Sequence, residues 1–276
     1  MHSKIIISLT CLAFLFPFVF TNKLNRIING HYAASKQFPY QTFLMQLNLG
    51  YIQEYIKWRP LCGGALISEK CVLTAAHCLD NPDIYAVNIY FGAVKIDDVT
   101  EVGQQRLVVK KDHFVIHQEW NPKTLANDIA LIKLPFSILF DDYIKLIQLP
   151  NQTFQYQFSE ATTSGWGLVT DTDTFSEFDK NLKYFNAQIL SDLECKRAYI
   201  SQKKSAFPAS LICIAPGENM VCKGDSGGPL VIKHESNFVL LGLTSFSFGK
   251  YCDSGFPKFF TRVSSYLNWI RDNAES

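Results

Sequence analysis

After residue 26 the chain is a succession of short apolar or alternating runs cut by turn residues. In the first half these are "PYQTFLMQL", "CGGALI", "CVLTAA", "IYAVNIYFG", "RLVVKK" and "DIALIKL"; in the second, "LKYFNAQIL", "PLVIK", "FVLLGLTSF" and "KFFTRV". Each has the length and β-favouring composition of a strand, so the pattern predicts an all-β, antiparallel architecture. Helical spacing stands out only in "VSSYLNWIRDN", where Val263, Tyr266, Leu267 and Ile270 share one face behind a starting serine. The expectation is two β-barrels, the first over about 27–140 and the second over about 150–262, followed by a helix over about 263–273. Phe140 to Pro150 reads as the crossover between them.

The N-terminus breaks this pattern. Lys4 precedes "IIISLTCLAFLFPFVF", Ile5 to Phe20, which reads as a signal peptide over about residues 1–20 ahead of a short propeptide, 21–26. The competing reading is an uncleaved membrane anchor. Against it, a run broken by Pro17 falls short of the roughly 20 apolar residues that a spanning helix needs. The mature chain is therefore expected outside the cell and off the membrane.

Composition narrows the classes further. With 47% hydrophobic and 18% charged residues in 276, the chain can bury a large core and is not disordered. Loss of residues 1–26, which carry Lys4, Lys23 and Arg26 and no acid, moves the formal charge from +1 to −2. That balance gives no reason to expect a nucleic-acid partner. Outside Cys11 the cysteines are Cys62, Cys71, Cys78, Cys195, Cys213, Cys222 and Cys252; none forms a CxxC pair, which favours disulfides over zinc and leaves at least one thiol unpaired. Asn151 in "NQT" fits the acceptor pattern for N-glycosylation.

The chemistry lies in three motifs: "TAAHC" with His77, "NDIALIKL" with Asp128, and "GDSGGP" with Ser226. A serine hydroxyl attacks at neutral pH only when a neighbouring base takes its proton, and that base needs a buried acid to fix its tautomer. Glycines around Ser226 free the backbone, so that Gly224 and Ser226 can aim their N–H groups at a single oxyanion. Taken singly, each motif has a bland explanation in a turn, a cap or a tight loop.

In this order, and together with "RIING", the motifs resemble the chymotrypsin and trypsin family of serine endopeptidases from Arg26 to about Asn273. The resemblance implies two six-stranded barrels and assigns His77 as general base and acid, Asp128 as its orienting partner, Ser226 as nucleophile and Ser245 as support for Asp128. It pairs Cys62 with Cys78, Cys195 with Cys213 and Cys222 with Cys252, leaving Cys71 as a buried thiol. It also implies activation by a protease cutting after Arg26, whereupon the Ile27 amine pairs with Asp225.

Substrate preference departs from the better-known relatives. The resemblance puts Met220 at the base of the pocket where an aspartate would select Lys or Arg, so trypsin-like specificity is not expected. Lys258 stands where relatives commonly have glycine, Phe246 replaces a tryptophan, Ser247 replaces a glycine, Lys223 sits at the pocket mouth, and Lys250 lies on a neighbouring loop. One reading is cleavage after Asp or Glu. The alternatives are that Lys258 pairs with Asp253 or snorkels away, leaving a pocket for apolar residues. A further alternative is a binding homologue whose occluded pocket has silenced catalysis. Ala93 stands in place of the glutamate that opens a calcium site, so no metal and no cofactor are expected. Expected partners are protein or peptide substrates, the activating protease and protein protease inhibitors, with the chain itself a monomer. An unprotonated histidine base implies a neutral to alkaline optimum.

Overall fold

A computed structural model describes residues 30–48, 58–151, 156–168, 179–203, 206–235, 237–249, 251–252 and 254–274. The segments read as signal and propeptide, together with Arg26 and Ile27, lie outside the described residues, as do Lys250 and Asp253.

The first half supplies β1 (His31–Tyr32), β2 (Gln41–Asn48), β3 (Arg59–Ser68), β4 (Cys71–Thr74), β5 (Ile84–Phe91), β6 (Gln105–Lys110), β7 (Phe114–Ile116) and β8 (Ala130–Lys133). The second supplies β9 (Glu160–Gly165), β10 (Lys183–Gln188), β11 (Leu211–Ile214), β12 (Pro229–His234), β13 (Asn237–Ser247) and β14 (Lys258–Arg262). They form two seven-stranded sheets, β6-β5-β2-β3-β4-β8-β7 and β1-β10-β9-β12-β13-β14-β11.

Each sheet is a six-stranded barrel, and the seventh strand has a different origin in each. In the first, β6 and β7 are one run split by the 3-10 turn Lys111–His113; because they occupy opposite edges of the sheet, the sheet curls until those edges meet. In the second, an antiparallel bridge between Ile189 and Ile214 joins the ends of the two long edges, and the extra strand is β1, reaching across from the first half to pair with β10. Closure of this kind leaves few unpaired edge strands.

The alternation seen in the sequence turns one side of each strand inward. Leu44, Leu66, Val72, Val87 and Ile89 fill the first barrel, while Phe185, Ile212, Leu230, Leu241 and Phe260 fill the second. A third cluster seals the two together: Phe43 packs against Tyr90 and against Trp166 of the other half, with ring centroids 5.8 and 5.2 Å apart. The crossover is extended and stitches both halves. Ile147 N–H donates to the Leu66 carbonyl in the first sheet, while Gln148 N–H donates to the Phe238 carbonyl and the Gln148 carbonyl accepts from Leu240 N–H in the second.

Two helical features differ from the sequence reading. The C-terminal segment begins as a 3-10 turn, Val263–Tyr266, and becomes α-helical over α2, Leu267–Ala274; here Val263, Tyr266 and Ile270 are buried as the spacing predicts. A second helix, α1 (Asp192–Lys203), was not anticipated. It buries only Cys195 and Tyr199, so its sequence has no apolar stripe to read. Its start is nonetheless encoded by a capping box, in which Glu194 N–H donates to Ser191 Oγ and Ser191 N–H donates to Glu194 Oε2.

Candidate active site

His77 sits in a 3-10 turn, Ala76–Cys78, directly after β4, and the Cys62–Cys78 disulfide ties that turn to β3. Asp128 precedes β8 at the end of a loop held by Asn127, whose side chain accepts from Tyr266 Oη at 2.9 Å and donates to the Glu119 carbonyl. Asn127 takes φ +57°, a left-handed conformation that asparagine tolerates. Thr261 of β14 donates to the Asp128 carbonyl at 2.7 Å, so the loop is fixed from the second barrel as well.

The Asp128 carboxylate is buried, with the residue 1% exposed, and accepts three hydrogen bonds. His77 N–H donates to Oδ1 at 2.9 Å, while Oδ2 lies 2.8 Å from His77 Nδ1 and 2.5 Å from the Ser245 Oγ that donates to it. An anionic acceptor at Nδ1 holds the imidazole with its proton on that nitrogen, leaving Nε2 with a lone pair. Nε2 lies 3.9 Å from Cys78 Sγ, and among the described residues no hydrogen bond joins it to Ser226.

Ser226 occupies a turn anchored on every side. Its carbonyl accepts from Gly63 N–H of β3, Gly227 N–H donates to Thr244, and Gly228 N–H donates to Asp225. A Cβ on Gly227, at φ +71°, would lie 2.2 Å from Thr74 Oγ1, so only glycine fits beside Ser226. Among the described residues, neither Gly224 nor Ser226 donates its own N–H to any acceptor. Two unspent donors next to Ser226 are what an oxyanion hole requires.

Asp225 points away from Ser226 into a socket of backbone. Oδ1 accepts from Gly167 N–H at 2.8 Å and Oδ2 from Cys222 N–H at 2.9 Å. A Cβ on Gly165 or Gly167 would lie 2.1 or 2.4 Å from these oxygens, which accounts for both glycines of "SGWG". Burial pushes the carboxyl up to about 6, against the pull of the two backbone donors. These glycines were missed from sequence, although their spacing around Trp166 was visible.

Next to Ser226 opens a cavity of about 210 Å³, lined among others by Val221, Phe246, Ser247, Tyr251 and Lys258, with Lys223 also in contact. Met220 is buried but does not line it; the Lys258 side chain does, bonded to other wall residues. Lys258 is 2% exposed, and its Nζ donates to Ser247 Oγ at 3.2 Å and to the Cys252 carbonyl at 2.5 Å. The Cys222–Cys252 disulfide fastens that carbonyl beside the Ser226 turn. Phe246 stacks on Phe259, 5.0 Å between centroids and 9° from parallel, within an aromatic group that includes Tyr199 and Phe248.

The three disulfides join the pairs that the resemblance implied, the third being Cys195–Cys213. Cys71 is a free, buried thiol that burial pushes up to about 12, which makes it inert packing. In the loop beside Ala93, the Glu101 carboxylate accepts from Val94 N–H, Lys95 N–H and the Gln104 amide. Asn151 is exposed.

The order His, Asp, Ser, read over two barrels, has a counterpart among known proteins. A family model described as Trypsin matches residues 27–270. The chain belongs to the trypsin family of serine endopeptidases. Within the trypsin family it is 36% identical over 260 residues to a collagenase of Hypoderma lineatum, covering 92% of this chain and 90% of that protein. It is 34% identical to serine protease 1 of Drosophila melanogaster, covering 90% and 85%, and 32% identical to chymotrypsin-C of Bos taurus, covering 94% and 92%. A solved structure described as HL collagenase superposes with a TM-score of 0.74 at 32% identity, covering 90% of this chain and 98% of that one. Trypsin-family membership makes the chain a serine endopeptidase acting on protein or peptide bonds.

Proposed function

We propose that this chain is a secreted, Arg26-activated endopeptidase that works through His77, Asp128 and Ser226 and favours Asp or Glu before the scissile bond. The observation that carries the catalytic assignment is the buried Asp128 carboxylate bonded at once to His77 N–H, His77 Nδ1 and Ser245. Ser226 Oγ attacks the substrate carbonyl carbon as its proton passes to His77 Nε2. The carbonyl oxygen becomes an oxyanion facing the N–H groups of Gly224 and Ser226. Collapse breaks the C–N bond, His77 returns the proton to the leaving amine, and water releases the acyl group by the same steps reversed. Secretion rests on the residue 1–20 segment, and no described helix is long and apolar enough to cross a membrane.

Activation rests on Asp225. Among the described residues it has two backbone donors and no ion-pair partner, and its carboxyl is pushed up to about 6. A raised carboxyl pKa means that the folded chain holds the proton more tightly than the unfolded one. Uncleaved stability therefore falls as pH rises from the ordinary carboxylate range through about 6. An Ile27 amine paired with Asp225 reverses this by favouring the anion. Cleavage after Arg26 is expected to raise stability most between about pH 6 and about pH 8, where the carboxylate and amine are both charged. Denaturant titrations of cleaved and uncleaved protein check this, and an equal gain at roughly pH 4.5 and pH 7.5 contradicts it.

The acidic preference is supported by Lys258, the buried cation on the wall of the cavity beside Ser226. A charge-assisted hydrogen bond stabilises a bound carboxylate by about 1.5–3 kcal/mol. Lys258→Met is expected to lower kcat/KM for Asp or Glu peptides by roughly tenfold to a hundredfold relative to Phe or Leu peptides. Peptides differing only at the residue before the scissile bond measure this. Equal or better wild-type turnover of Phe or Leu removes the acidic reading and leaves an apolar preference. In that case Lys258 is spent on its internal partners, among which sequence named Asp253.

A further inference from the structure

Lys258 presents a puzzle: a residue 2% exposed is badly placed to meet a substrate directly. Its neighbour is better placed. Ser247 is the last residue of β13, directly opposite Lys258 in the β13–β14 ladder, and both line the cavity with Ser226. Ser247 is only partly buried, and its Oγ accepts a hydrogen bond from Lys258 Nζ.

A hydroxyl that accepts from an ammonium has its own O–H left to donate, and the bond behind it strengthens that donor. We propose that Ser247 is the specificity-determining contact for acidic substrates, its O–H donating to the substrate carboxylate while Lys258 supplies the charge from behind. This inference rests on the acidic preference proposed above. The Cys252 carbonyl holds the ammonium from another side, and the Cys222–Cys252 disulfide fixes that carbonyl, so Nζ is anchored toward Ser247. The substitution of serine for the usual glycine then gains a purpose. It carries a buried charge to the cavity surface without exposing the charge itself, and no covalent change is involved.

The test compares wild type, Ser247→Ala, Ser247→Thr, Lys258→Met and the Ser247→Ala/Lys258→Met double variant. Titration of reactive Ser226 sets the concentration of competent enzyme in each, so that misfolded protein is not counted. The readout is the ratio of kcat/KM for a Glu peptide to that for an otherwise identical Phe peptide. Ser247→Ala is expected to lower the ratio by on the order of tenfold, chiefly through KM, and Ser247→Thr to restore most of it. The double variant is expected to lose little more than Lys258→Met alone, because the two residues act as one unit. If wild type prefers Glu and Ser247→Ala keeps or increases that preference, Lys258 meets the substrate directly and the role of Ser247 is overturned. If wild type does not prefer acids, the acidic reading fails first and this inference falls with it.

Discussion

Replacing Ser226 with alanine is expected to lower kcat of the Arg26-cleaved protein by roughly a million-fold, the loss found when a triad serine is removed. The reason is that the remaining groups have nothing to act on. His77 can still take a proton, but only from water, and the N–H donors of Gly224 and Ser226 stay in place because they belong to the backbone. The variant should fold normally: Ser226 is held through its carbonyl, which accepts from Gly63 N–H, and through the glycines that follow it. Residual hydrolysis should therefore remain above the uncatalysed rate, supported by substrate binding and the oxyanion hole. Peptide hydrolysis by purified variant measures it, and a loss of less than about a hundredfold would mean that another group is the nucleophile.

Asp128→Asn is expected to lower kcat by about ten-thousand-fold with the fold retained. Asparagine matches the shape of the carboxylate but presents an NH₂ group where Oδ2 now accepts from Ser245 and bonds His77 Nδ1. Facing a donor, Nδ1 gives up its proton and Nε2 keeps one. The nitrogen nearest the nucleophile can then no longer accept from it. Nitrogen NMR of the imidazole reports the tautomer directly, alongside kcat. A variant with full activity, or one with lost activity and an unchanged tautomer, contradicts this role for Asp128.

The residues to which these steps are assigned were legible because each lies in a local motif whose neighbours have geometric work to do. "GDSGGP" carries the glycine that packs against Thr74, "TAAHC" carries the cysteine that fixes the histidine turn, and Asp128 heads a strand. The strands that escaped notice have no such signature. "EATTSG" of β9 is small and polar and ends in Gly165, which abuts the Asp225 carboxylate; "LICI" of β11 is only four residues long, and β1 and β7 are shorter still. Helix α1 hides its identity in a polar surface and reveals it only in the Ser191–Glu194 box.

The pocket was legible in part. Sequence placed Ser247 and Lys258 near it, but the bond between them depends on β13–β14 register, which a bulge between Thr244 and Phe246 shifts. A shift of that kind turns side chains to different neighbours and cannot be read from composition. Lys258 is among the residues lining the cavity, bonded there to Ser247 and the Cys252 carbonyl, whereas Met220, expected at its base, is not.

The central claim is that Ser226 is an activated nucleophile in the cleaved protein. Exposure of Arg26-cleaved and uncleaved protein to a fluorophosphonate, followed by peptide mapping, tests it in one step. The account predicts stoichiometric labelling of Ser226 after cleavage, slow labelling before it, and none in Asp128→Asn on the same timescale. A cleaved, correctly folded protein that stays unlabelled would contradict it and identify a binding homologue on a protease scaffold.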